Sequence, residues 1–254
     1  MSTTLFLSPH LDDVAFSCGA TVAKLARDGR AVVATMFTAS VAAPRGFALA
    51  CQTDKGLSAD VDYMAVRRAE DAEAAAALGA EAWWLDFPEA PHRGYGSAAE
   101  LFAGVKLNDD IHESLTDRLE EFWEEVRPDW VFAPLGLGDH ADHLQLIHSV
   151  CEFVSGDDTI WYRDAPYAIR NPAAEPSAPV AGRSGFALPI GAHLAAKLDA
   201  CAAYRTQLAF QFGGEAAMRE KLTAFAIDEG RAAGLEGPTE RFSGRGVAAR
   251  HGFQ

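Results

Sequence analysis

The sequence predicts an α/β fold: one parallel-rich sheet with helices on both faces, in a single domain spanning residues 1–254. Three observations predict it. Short apolar runs alternate with amphipathic helical patterns along the first 160 or so residues. Those runs are almost continuously apolar, as strands buried on both faces must be. Polar clusters follow the first and the fourth run, where open α/β sheets gather their functional side chains.

The strand candidates are Thr3–Leu7, Ala31–Thr38, Ala82–Phe87, Asp129–Ala133 and Thr159–Tyr162. Helices are predicted at Val14–Asp28, Tyr63–Leu78, Asp110–Val126 and His140–Val154. The third shows its period well, because Ile111, Leu115, Leu119, Phe122 and Val126 recur at spacings of three and four between charged residues. Ala39–Ser58 and Asp164–Pro189 lack a period and carry Pro and Gly, so both read as long loops, with walls of a pocket expected there and in His92–Leu107. From about residue 190 the chain reads as C-terminal helices, Gly191–Phe212 and Glu215–Ala233. In "AWWLDF", Trp83 and Trp84 fall on opposite faces of a strand, and both are expected to pack in the core.

Composition excludes several classes. With 36 acids against 22 bases the net charge is −14, which repels a phosphate backbone, so nucleic acid is not an expected partner. The four cysteines form no CxxC pair, which removes a thiolate zinc site and a disulfide framework and suits a reducing compartment. The N-terminus lacks a basic segment ahead of its short apolar run, and no apolar run approaches the roughly 20 residues that span a bilayer. A cytoplasmic protein without a membrane partner is the expectation. A homo-oligomer is compatible with it.

The chemistry concentrates in two stretches, "SPHLDD" after the first strand and "GLGDHADH" after the fourth. His140 and His143 are three apart at the start of a helix and share a face. Right-handed crossovers favour the strand order 3-2-1-4-5, which makes strands one and four neighbours at the switch point of the sheet. His10, Asp12 and Asp13 should therefore meet His140, Asp142 and His143, over a hundred positions away. Histidine and carboxylate without thiolate suit zinc, and also Fe(II) or Mn(II). One aspartate could bind the metal while its neighbour takes a proton from water; spacing does not say which.

Plainer readings exist for each residue. An Asp ahead of "VAFSCGATVAKLA" would cap a helix, and two histidines could sit on an exposed first turn. Two adjoining acids after a histidine exceed what a cap needs, and the second cluster on the same sheet edge favours a site. His148, five positions after His143, lies on a different face and reads as structural; His92, His112, His193 and His251 belong to no recognisable motif, although His92 and Arg93 lie beyond strand three on the site edge, where they could reach a substrate. "GLG" at Gly136–Gly138 is too short for a dinucleotide fingerprint and reads as a turn.

At "PHLDD" and "GDHADH" the chain resembles the PIG-L/LmbE-like zinc-dependent N-deacetylases, with weaker likeness at "RRAEDAEAAAALGA", "LDFPEA", "WYRDAPYA" and "YRTQL". The resemblance implies a Rossmann-like fold and a hydrolase that removes an N-acyl group, usually acetyl, from an N-acetylglucosamine-type amino sugar or conjugate. It implies zinc held by His10, Asp13 and His143, with Fe2+ or another divalent metal as alternatives. Asp12 is implied as general base, His140 as oxyanion stabiliser tuned by Asp142, and Arg67 and Asp86 as sugar-binding residues. Leu11 replaces the usual proline of "HPDD", Val14 replaces an acid that often follows, and Ala141 replaces a common proline; every ligand is spared. An amidase acting on a thiol conjugate of an amino sugar shares this chemistry. A non-catalytic binding module and a non-haem Fe(II) oxygenase are the readings from other classes, the latter disfavoured by alternating strands and helices.

Overall fold

A computed structural model of the chain describes residues 1–154 and 158–245. In chain order the elements are β1 (Thr3–Ser8), α1 (Asp13–Asp28), β2 (Arg30–Thr35), α2 (Gly46–Thr53), α3 (Tyr63–Leu78), β3 (Glu81–Trp84), α4 (Ala98–Leu101), α5 (Ile111–Val126) and β4 (Trp130–Pro134). They continue with α6 (Ala141–Phe153), β5 (Thr159–Tyr162), α7 (Tyr167–Arg170), β6 (Gly185–Pro189), α8 (Leu194–Ala202), α9 (Arg205–Phe212), α10 (Glu215–Ala232) and β7 (Thr239–Gly244).

The strands form one sheet in the order β3-β2-β1-β4-β5-β7-β6. The first five are parallel, in the expected order, and β1 pairs with β4 through Thr4–Trp130, Leu5–Val131 and Phe6–Phe132. The last two run antiparallel and extend the β5 edge. The α/β expectation therefore holds, with two additions that sequence reading placed in a loop and beyond the last helix. The Gly191–Phe212 helix is also divided, into α8 and α9.

Side chains alternate across the strands and feed two cores. Leu5 and Leu7 of β1 point to the α5/α6 side, where Leu115, Leu119, Phe122, Leu146, Ile147 and Val150 pack. Phe6 points to the other side, against α1, α8, α9 and α10, through Phe16, Val22, Cys201, Phe212 and Leu222. Trp83 packs edge-on against Phe122, as expected. Trp84 does not enter a core: it is 40% exposed and its indole donates to Asp71 Oδ2. The reason is position, since β3 is the edge strand and has no neighbour on its outer side. No helix among the described residues is long and apolar enough to cross a membrane.

Helix α1 is broken at Cys18 (φ −135°, ψ 25°), and a buried ion pair fills the break. In an unbroken helix the Thr21 amide would donate to the Ser17 carbonyl. Here Thr21 N donates to Glu240 Oε2 at 2.9 Å and Ala20 N to Glu240 Oε1 at 3.2 Å. Lys197 Nζ donates to the Ser17 carbonyl at 3.0 Å and to Glu240 Oε1 at 2.8 Å. Glu240 thus caps the new helix start, and Lys197 caps the end of the old one. Gly19 admits the lysine stem; a Cβ there would lie 3.3 Å from Lys197 Cγ. The first turn and a half of α1, which begins at Asp13, is held by residues from α8 and β7.

Removing one partner leaves the other buried and uncompensated. Lys197→Met is expected to lower stability by about 3 kcal/mol or more, on the order of 10 °C in Tm for a chain of this size. Lys197→Met with Glu240→Leu should stay destabilised, because the Ala20 and Thr21 amides and the Ser17 carbonyl lose their partners too. Thermal unfolding followed by circular dichroism checks this; a double variant as stable as the parent would show that the ion pair does not serve the backbone.

Candidate active site and metal centre

The site lies where the carboxyl ends of β1 and β4 meet. From β1 the chain makes a tight turn in which the amides of Asp12 and Asp13 both donate to the His10 carbonyl, at 3.0 and 3.4 Å. Asp12 occupies the position before α1 with φ 149° and ψ −27°, a conformation that L-residues rarely adopt and that persists only when its surroundings enforce it. Its carboxylate caps nothing. Oδ2 is buried without a hydrogen-bond partner and lies 3.5 Å from Arg67 Nη2. The helix-cap reading therefore fails for Asp12.

Asp13 takes the central place. Its Oδ2 accepts the His10 amide at 2.9 Å and stands 3.2 Å from His10 Nδ1 and 3.2 Å from His143 Nε2. After β4, Gly136 and Gly138 carry φ of 75° and 91° and make the expected turn, with the Tyr167 ring 3.2 Å from where a Cβ of Gly138 would stand. The turn delivers His140 as the N-cap of α6, its Nδ1 accepting the Asp142 amide at 3.2 Å. His143 follows one turn on. One nitrogen of each of His10, His140 and His143 lies within 4.8 Å of the others.

Carboxylates fix the outer edges of these rings. Asp142 Oδ2 stands 2.9 Å from His10 Nε2 and accepts the Ala90 amide at 3.1 Å, while Oδ1 accepts Arg93 Nη1 at 2.7 Å. Arg93 is itself clamped by both oxygens of Asp109. Asp164 Oδ1 holds His143 Nδ1 at 2.7 Å. A ring whose outer nitrogen donates to a carboxylate presents its other nitrogen as a lone pair. Both inner lone pairs, on His10 Nδ1 and His143 Nε2, therefore face the Asp13 oxygen. Three electron-rich atoms at such distances need a cation or a proton among them, and His143 Nε2 is buried with no hydrogen-bond partner. The donor set fits a divalent metal.

Burial pushes the Asp12 carboxyl up to about 7, with Arg67 opposing and the Asp13 charge adding to it. Burial also lowers His140 to about 3, so the ring is neutral, and its Nε2 carries the proton because Nδ1 accepts. Burial would raise Asp13, but His143 and His10 hold it well below the usual carboxylate range.

A cavity of about 290 Å³ opens above these residues. The three stretches expected as walls supply Phe47 and Lys55, Leu101 and Phe102, and Tyr167 and Arg170; α9 adds Gln207 and Phe210, which sequence reading had not placed there. Arg67 lines the cavity too, but its guanidinium is committed to Glu89 Oε1 at 2.8 Å and the Leu11 carbonyl at 2.9 Å. Asp86 stands apart from its expected place. It is exposed and outside the lining, because Leu85 turns inward and the pleat sends its neighbour out; Glu89 occupies that wall instead. Asp142 also differs from expectation, for its carboxylate grips His10 rather than His140. The His140 ring folds back as cap onto the Asp142 amide, which leaves that side chain turned toward β1 and Arg93.

Asp164 escaped sequence reading, and Arg93 reads there only as a residue beyond strand three that could reach a substrate. Asp164 sits in a Pro-rich stretch, although its place just after strand five, on the same sheet edge, was an available signal. What the sequence did not signal for Arg93 is its grip on Asp142, since its partners Asp109 and Asp142 are remote in sequence.

The geometry makes Asp164 the residue that orients His143. Asp164→Asn is expected to weaken divalent-metal affinity about 10- to 100-fold without loss of fold, measured by competition with a chromophoric chelator. Unchanged affinity would reduce Asp164 to a packing role.

Comparison with known proteins agrees with this picture. The family described as "PIG-L: GlcNAc-PI de-N-acetylase" matches residues 5–154, a range that holds both polar clusters. A 2'-N-acetylparomamine deacetylase of Streptomyces fradiae is 32% identical over 178 residues, 68% of this chain and 60% of that protein. The match thus spans well under two thirds of that relative's length. The solved A40926 pseudoaglycone deacetylase Dbv21 is 27% identical and superposes with a TM-score of 0.77 over 95% of this chain and 96% of its own. The zinc-inhibited form of the teicoplanin deacetylase Orf2 superposes with a TM-score of 0.80 over 95% of this chain and 97% of its own, at 22% identity, and that likeness carries the fold alone. The chain belongs to the PIG-L family.

Proposed function

We propose that this chain is a metal-dependent N-deacetylase that hydrolyses the acetamide of an N-acetylated amino sugar or its conjugate. The observation that carries the reading is Asp12. Its Oδ2 is buried without a hydrogen-bond partner, and the residue lines the cavity beside His10 and Asp13, whose donors converge with His143 Nε2. The relatives with deacetylase names support the amino-sugar class. The breadth of the cavity and its aromatic walls suit a ring-shaped substrate.

A divalent cation held by His10, Asp13 and His143, zinc by its donor preference, supplies Lewis acidity toward the attacking water and the acyl carbonyl. The remaining chemistry belongs to the side chains. Asp12 takes a proton from the attacking water and later delivers it to the departing nitrogen, so that the amide C–N bond breaks to acetate and a free amine. Its carboxyl sits near neutrality, where one group serves as base and then as acid. Arg67 steadies Asp12 from behind, anchored by Glu89 and the Leu11 carbonyl. His140 donates from Nε2 to the oxygen that gains charge as the carbonyl becomes tetrahedral. Its proton is fixed on that nitrogen by the Asp142 amide on the other. Phe102 and Tyr167 stand edge-on beside the His140 and His143 rings at 5.3 Å in each case and help to exclude bulk water.

The test is acetate release from a panel of N-acetylated amino sugars, with zinc, with Fe2+ and after chelation. Asp12→Asn should keep the metal but lose about 10²- to 10⁴-fold in kcat. Full turnover by that variant would remove Asp12 from the mechanism, and turnover undiminished by chelation would remove the metal.

A further inference from the structure

Away from the cavity, α5 and α6 bring together three side chains that the sequence leaves unconnected. We propose that His112, His148 and Glu152 form a second, peripheral site for a borderline-soft divalent transition cation, zinc or nickel in class, that staples α5 to α6.

One donor atom from each of the three lies within 4.8 Å of the others. His148 and Glu152 are a turn apart on α6, with Nε2 and Oε1 separated by 3.5 Å. His112, in the first turn of α5, stacks on His148 with ring centroids 4.2 Å apart. The buried Nδ1 of His112 has no hydrogen-bond partner.

Of the three donors, Glu152 is steadied by a neighbouring hydroxyl, and the backbone that carries His112 is tied to α6. The single Thr116 hydroxyl proton is shared between the His112 carbonyl at 2.8 Å and Glu152 Oε2 at 3.1 Å, and Glu152 Oε1 is turned to His148. Ser149 of α6 donates to the same carbonyl at 3.1 Å and so ties the start of α5 to α6. A ligating carboxylate steadied by a hydroxyl is the usual outer support of a metal site. The helix spacing behind it is set by Leu115, Leu119, Leu146 and Val150 in the core.

Two imidazoles and one carboxylate bind zinc, nickel and copper in preference to Mg2+ or Ca2+, which favour oxygen alone. Three protein donors on a surface leave the remaining positions to water. None of the three residues lines the cavity. His148 lies five positions beyond His143, about 7 Å along the helix axis and on another side of it. The cation would brace the far half of the helix whose first turn carries His140, Asp142 and His143.

The experiment is a calorimetric titration of tag-free, chelator-stripped full-length protein with Ni2+ and with Zn2+, comparing the parent with His148→Ala. The side chain of His148 is 53% exposed, so its removal should not disturb folding. The decisive quantity is the difference between the two proteins. The parent is expected to take up one more equivalent than His148→Ala, and Glu152→Gln to bind that equivalent at least tenfold more weakly. Deacetylation at one equivalent of metal should be equal in all three. Equal stoichiometry and affinity in the parent and His148→Ala overturn the proposal, as does an extra equivalent that Mg2+ fills equally well. If the cavity binds no metal, the parent still takes one equivalent and His148→Ala none, so failure of the cavity reading is distinguishable from failure of this one.

Discussion

One carboxylate oxygen, Asp13 Oδ2, stands 3.2 Å from the inner nitrogens of two histidines, His10 and His143, and most of the architecture serves to keep it there. Left alone, an anion facing two lone pairs would swing away. The sheet prevents this by pairing β1 directly with β4, so that the turns after them open onto the same edge. Asp142 and Asp164 prevent it from outside by holding the far nitrogen of each ring. Arg93, clamped by Asp109, in turn holds Asp142, so a run of buried charges leads to the ring without a break. The donors are therefore set before any ligand arrives, which spares the reorganisation that a looser site would require.

The same demand explains the break in α1. A straight helix would satisfy its own backbone at Ser17 and Thr21. This one leaves those groups to Lys197 and Glu240, residues from α8 and β7. Ser17 also accepts the Ala165 amide through its hydroxyl, one residue past Asp164. The kink thus joins the segment that carries Asp13 to the segment that orients His143. Elements that look like a C-terminal appendage in the sequence are part of the frame of the site, and the strained backbone of Asp12 is one sign of how firmly that frame is set.

Which features were legible follows from how local each signal is. Strands β1 to β5 announce themselves as apolar runs, and their order follows from chirality. The two histidine–aspartate clusters are compact in sequence, so their meeting could be inferred from topology alone. Strands β6 and β7 could not: "GFALP" and "TERFSG" are short and partly polar, and their antiparallel pairing with β5 and with each other leaves no local signal. Trp84 was misplaced because periodicity gives the face of a strand but not whether a neighbour covers it, while Asp86, expected at the site from the resemblance alone, is exposed outside the cavity lining. Arg67, expected as a substrate residue from the resemblance, lines the cavity and also stands 3.5 Å from Asp12 Oδ2, a contact that depends on packing between α3 and the turn after β1. His112 and His148 carry no shared motif, since their contact depends on how two helices pack.

The most direct test of the central arrangement is anomalous diffraction at the zinc edge from crystals grown with the metal. The expected result is a peak bonded to His10 Nδ1, Asp13 Oδ2 and His143 Nε2 at about 2.0–2.2 Å, with the Asp12 carboxylate beside it but unbonded. A peak ligated by Asp12 in place of Asp13, or no peak among these side chains at saturating zinc, would contradict it.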